Sequence, residues 1–131
     1  MEKYKLVIIP LLGIMLSQII KFIIESIRAK KFLFNRLLNG SGGIPSSHAC
    51  LVSSLTSLIY LNYGFNSLFS VSLIFSFIVL YDSFGVRYQV GLQAKVLNEL
   101  TGYNLKELVG HTLFEVLVGV ILGIIVSLTL N

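Results

Sequence analysis

The chain has 131 residues, 55% hydrophobic and 12% charged, with a net charge of +4. Soluble domains carry about 25% charged residues, so this composition excludes an ordinary soluble domain and points to a membrane-embedded one. The positive balance comes without a basic-aromatic surface and gives no ground for a nucleic-acid partner. Cys50, the lone cysteine, excludes an intramolecular disulfide and a multi-cysteine metal site, and reads as a small packing residue.

Lys3 and Lys5 precede the first apolar run, Leu6–Ile27. That order resembles a secretory leader, but no small-residue cleavage site follows and the segment is expected to be retained. Its length is close to the ~20 residues of a spanning helix. Gln18, Lys21, Glu25 and Arg28 recur at three- and four-residue steps and form one polar stripe. A lysine inside a membrane helix is costly unless it snorkels, pairs or lines a wet cavity. Because the stripe carries both charge signs on one face, Lys21 is expected at a site. Snorkelling and pairing with Glu25 are the plainer alternatives.

Gly42-Gly43-Ile44-Pro45-Ser46-Ser47-His48 then opens the second apolar stretch. A tight loop feeding a helix is expected here, with Ser46 or Ser47 as its N-cap. Free N–H groups and hydroxyls at a helix start make an anion site. Capping accounts for the serines but not for His48 beside them. The strict apolar runs Ala49–Leu61 and Leu68–Leu80 are short, and reach spanning length with their flanks, as Ser46–Tyr63 and Phe65–Gly85. Tyr81–Arg87 places an acid and a base around Gly85, so Asp82 and Arg87 either pair or face a substrate. Val90–Leu100 reads as a short amphipathic helix on the membrane surface.

The last run, Leu113–Leu130, contains no charge except Glu115 and disfavours a soluble all-α bundle. His111, Glu115, Gly119, Gly123 and Ser127 share one face. Gly119 and Gly123 form a small-xxx-small pair, compatible with a homodimer or with packing inside one chain. A carboxylate four residues after a histidine can fix its tautomer and make the other ring nitrogen more basic. A structural pair at a helix start is the alternative, with Glu115 complementing the macrodipole.

The expected fold is an all-α integral membrane bundle forming one domain over residues 1–131. Four spans are expected, near 5–27, 46–63, 65–85 and 109–130, with one short interfacial helix. Arg28, Lys30, Lys31, Arg36, Arg87, Lys95 and Lys106 then share one side, against Lys3 and Lys5 on the other. This places the long loops, and the active-site side, in the cytoplasm. It also gathers Lys21, Arg28, His48, Asp82, Arg87, Lys106 and His111 at one end.

On Gly42–His48, Tyr81–Asn98 (with Gly91, Gln93, Ala94 and Leu97) and Glu107–Gly119, nearly the whole chain resembles the divergent branch of the type-2 phosphatidic acid phosphatase superfamily. That superfamily is related to vanadium-dependent haloperoxidases. Its first signature is a lysine, six residues, then arginine and proline; Lys21 and Arg28 match, with Ala29 in place of the proline. Its second, Pro-Ser-Gly-His, is here Pro45-Ser46-Ser47-His48. Its third ends in histidine and, four residues on, aspartate; His111 and Glu115 match with a conservative exchange of glutamate for aspartate, while Lys106 lies one position from the missing arginine. The main superfamily has six spans rather than four.

The resemblance implies a metal-independent, cofactor-free acid phosphatase-like hydrolase in the cell membrane. Its substrate would be a phosphorylated lipid or isoprenoid, a related phosphoester or a pyrophosphate. His111 would be the nucleophile forming a phospho-histidine, Glu115 its orienting group, and His48 the general acid and base. Lys21, Arg28, Ser46, Ser47, Arg87 and Lys106 would hold phosphate, with Asp82 in support. A non-catalytic lipid-phosphate-binding protein and an anion or lipid transporter are the alternatives.

Overall fold

Each apolar run folds as a helix in the computed structural model, which describes residues 2–30, 43–107 and 110–131. Lys31, Arg36 and Gly42, and residues 108–109 of the Glu107–Gly119 stretch, lie outside the described residues. The helices are α1 (Glu2–Ala29), α2 (Ser47–Tyr63), α3 (Ser67–Phe84), α4 (Val86–Thr101) and α5 (Leu113–Leu130). Polar side chains start three of them. Ser46 Oγ accepts from Ala49 N, Asn66 Oδ1 from Phe69 N and Thr112 Oγ1 from Glu115 N.

By length and composition, three described stretches suit a membrane crossing: Tyr4–Ala29, Ser67–Thr101 and Leu113–Leu130. The protein is therefore a membrane protein, all-helical among the described residues. The expected fourth span, α2, has 17 residues, roughly 26 Å of helix. Ser53, Ser54, Thr56 and Ser57 dilute its apolar character. It is also the central helix, in contact with α1, α3 and α5. Lipid-exposed faces must be apolar, but a helix surrounded by protein can carry hydroxyls that its neighbours satisfy.

Between helices already surrounded by hydrocarbon there is little hydrophobic drive, so close packing and hydrogen bonds must hold them. The α2–α5 contact uses packing. The two helices run parallel, from the Ser46 N–Glu115 O bond of 3.2 Å at one end to Asn62 Nδ2–Asn131 Oδ1 at 2.9 Å at the other. A Cβ on Gly119 would lie 2.9 Å from Ala49 Cβ, and one on Gly123 2.9 Å from Ser54 N. The glycine stripe is thus consumed within the chain, where it lets two backbones nearly touch.

The α2–α3 contact uses hydrogen bonds. Thr56 Oγ1 lies 2.7 Å from Ser72 Oγ and 2.8 Å from Ser76 Oγ, and all three residues are buried. Ile9, Leu58 and Val126, one from each of α1, α2 and α5, form the apolar core. Large apolar side chains such as Leu11, Met15, Ile74, Phe77 and Ile121 point outward, as lipid contact requires.

The helix expected at Val90–Leu100 is longer. It is all of α4, and Gly85 alone separates it from α3. Gly85 has φ −99° and ψ −85°, outside helical geometry, which breaks the path between the two helices. α4 buries its small residues, Gly91 and Ala94, and leaves Val90, Val96 and Leu100 exposed.

Candidate active site

Three helix ends and one corner assemble the polar cluster. On α1, Lys21 is only 5% exposed and interacts electrostatically with Glu25 and with Glu115 of α5. The loop before α2 closes over this stripe. Gly43 sits at φ +85°, and a Cβ there would lie 2.7 Å from Glu25 Oε1 and 3.6 Å from the Lys21 stem. Only glycine combines that left-handed backbone with so close an approach. Lys21 therefore points into protein and does not reach a free surface. Arg28, in the last turn of α1, is exposed and roughly 10 Å further along the axis.

At the start of α2, Pro45 and Ser46 are fully buried and Ser47 nearly so. Ser46 is the N-cap, so its hydroxyl oxygen is committed to the Ala49 N–H at 3.4 Å. Ser47 Oγ has no hydrogen-bond partner among the described residues. His48 follows, exposed, where the charges of Arg87, Lys21 and Asp82 all act on it.

At the start of α5, His111 is 8% exposed and its N–H donates to Ser83 O at 3.1 Å. Glu115 serves three contacts. Its Oε2 accepts from Thr112 N at 2.9 Å, completing a capping box, and lies 3.4 Å from His111 Nδ1. Its backbone carbonyl accepts from Ser46 N. The carboxylate beside His111 is therefore clamped by the helix start itself, not held by a flexible side chain alone. The ring faces Glu115 with Nδ1, so Nε2 is the nitrogen that Glu115 does not engage. Burial, and then the Lys21 charge, hold the His111 imidazole below its ordinary value, while Glu115 pulls it upward.

The fourth contribution is the α3–α4 corner. Arg87 Nε donates to Asp82 Oδ2 at 2.6 Å, so these two residues do pair. Gly110 lies against the corner, where a Cβ would come within 2.6 Å of Ser83 O and 2.9 Å of the Arg87 carbonyl carbon.

Lys106 is placed elsewhere. It is exposed on a loop that Asn98 binds through Leu105 N, Leu105 O and Glu107 Oε1. Asn98 lies roughly 18 Å along α4 from Val86. No contact among the described residues joins Lys106 to either histidine. Cys50 is buried beside Gly13 of α1, in a packing position.

Three supporting residues escaped the sequence reading. Thr112 had a legible signal, since Thr-x-x-Glu before an apolar run is a capping-box pattern. Ser83 and Gly110 had none, because their partners are distant in the chain. Ser83 is 2% exposed, and its Oγ, like Ser47 Oγ, has no hydrogen-bond partner among the described residues.

No solved structure matches the chain significantly. It is similar to "Uncharacterized membrane protein YuiD" of Bacillus subtilis (strain 168), at 36% identity over 142 aligned positions, covering 92% of this chain and 89% of the relative. The model of the Divergent PAP2 family matches residues 3–126, which takes in all four parts of the cluster. The chain belongs to the Divergent PAP2 family.

Proposed function

We propose that the chain is a single-domain, four-span membrane phosphatase that hydrolyses a lipid phosphate, including isoprenoid ones, or a related phosphoester or pyrophosphate. The observation that carries this reading is the convergence of Lys21, His48 and the His111–Glu115 pair, from three separate helices, within electrostatic reach of one another. A helix bundle that only had to span a bilayer would gain nothing from this cluster, and intramembrane charge is costly.

In the proposed reaction, His111 Nε2 attacks phosphorus and the bond to the leaving oxygen breaks. Protonated His48 gives its proton to that oxygen. Glu115, facing Nδ1, stabilises the cationic phospho-histidine. Water then attacks phosphorus, His48 takes its proton, and the N–P bond breaks to release inorganic phosphate. Splitting the displacement in two lowers each barrier, and acid-base assistance contributes about 10²–10⁴-fold. Lys21 and the Ser47 hydroxyl would meet the phosphate oxygens, with Arg28 at the rim. Ser46 would contribute mainly by shaping the helix start.

The basic loops favour a site facing the cytoplasm. The test is release of inorganic phosphate from a short-chain lipid phosphate by purified protein in detergent, with a chelator and no added metal. Turnover is expected and should be inhibited by vanadate. Vanadate binding without turnover would replace the enzyme by a lipid-phosphate binder or transporter.

A further inference from the structure

The ion pair at the α3–α4 corner engages only part of the Arg87 side chain. Asp82 Oδ2 accepts from Nε, and the two terminal guanidinium nitrogens make no hydrogen bond among the described residues. The Arg87 and Asp82 side chains are 54% and 39% exposed, and such a pair contributes little to stability by itself. Its location is more informative. Ser83 O, in the same corner, accepts the His111 N–H, and Gly110 packs against the Arg87 backbone. The loop carrying one histidine is thereby bound to the corner, while the Arg87 charge acts on the other histidine.

A guanidinium carries five N–H donors in a planar fork that matches two oxygens of a phosphate. Holding it by Nε fixes the plane of the fork and leaves both terminal nitrogens for an anion. Asp82 can therefore stay bound while Arg87 engages a ligand. Lys21, by contrast, is buried, and the charges of Glu25 and Glu115 act on it.

We propose that Arg87 is a bidentate ligand for the phosphate oxygens and that Asp82 is the positioning residue that aims it. The α3–α4 corner thereby becomes the outer wall of the anion site. This rests on the phosphate reading above, but concerns binding and not turnover.

The test is a direct titration of orthovanadate into purified full-length protein in detergent, with thermal midpoints measured alongside. Arg87→Ala and Arg87→Gln should each weaken vanadate binding by about tenfold or more, the loss expected for charge-assisted hydrogen bonds. Arg87→Lys should restore only part of it, since a point charge lacks the fork. Asp82→Asn should weaken binding several-fold at an unchanged thermal midpoint, because the cation remains but is no longer aimed.

Unchanged affinity in the folded Arg87 variants overturns the proposal. Tighter binding in Asp82→Asn overturns the positioning role, because the carboxylate would then be competing with the anion. Wild-type protein that binds vanadate but releases no phosphate defeats the catalytic reading alone, and the variants still decide the corner. Wild-type protein that binds no vanadate defeats both.

Discussion

At the Asn62 end of the bundle, polar side chains find one another. Asn62 Nδ2 donates to Leu58 O and Asn131 Oδ1, and midway Thr56, Ser72 and Ser76 form a closed hydroxyl cluster. At the His111 end, Ser47 Oγ and Ser83 Oγ are buried without a hydrogen-bond partner among the described residues, and His111 Nδ1 faces the Glu115 carboxylate at 3.4 Å. Ser54 Oγ, in the middle of α2, is the exception to this division. Burying a polar group unpaired is costly, so the far end follows the rule for structural glue and the near end departs from it. The departure coincides with Lys21, Glu115 and both histidines, as the proposed phosphate site would require.

The harshest way to break this comparison is His111→Ala. Phosphate release should fall by about 10⁶-fold, the scale of losing a catalytic nucleophile, while the protein still folds. Persistent turnover would mean that the near end is polar for another reason.

Gly123→Val probes the seam joining the two ends. The added Cβ meets the backbone of Cys50 and Ser54, which cannot rotate away. A loss of about 1–3 kcal/mol or more is expected, visible as a lowered thermal midpoint. An unchanged midpoint would show that the helices are not so close.

A pH profile sharpens the near end. Because burial and Lys21 hold His111 below its ordinary 6.5, its neutral, nucleophilic form should persist to lower pH than in a free histidine. The acid limb of kcat/KM should therefore fall below 6.5. Glu115→Gln should move the limb lower still, since it removes a group that raises the His111 value while keeping an oxygen for the cap. An upward shift would contradict the assignment.

The smallest effect is expected at the far end. Thr56→Val should destabilise by about 0.6 kcal/mol, the typical strength of an interhelical hydrogen bond in a membrane, and leave turnover unchanged. A large loss of activity would mean that the hydroxyl cluster does more than join α2 to α3.

Periodicity and composition made much of this legible. The polar stripe of α1, a serine cap at Ser46 or Ser47 and the buried face from His111 to Ser127 all follow from spacing along one helix, and the structure selects Ser46. The Lys106 expectation rested on its lying one position from the missing signature arginine, a match along the chain; in space Asn98 holds its loop, and no contact among the described residues joins Lys106 to either histidine. The small-xxx-small pair announced a close contact without naming the partner, which only the approach of α2 identifies.

What the chain determines by itself is local: helices wherever apolar runs meet a capping residue, and a membrane setting wherever charge is too sparse for water. The tertiary structure alone decides which helix ends meet. The Ser46–Glu115 and Ser83–His111 bonds join residues far apart in the chain. Hydrogen bonds and close packing between helices depend on three-dimensional shape, which no single segment's pattern contains.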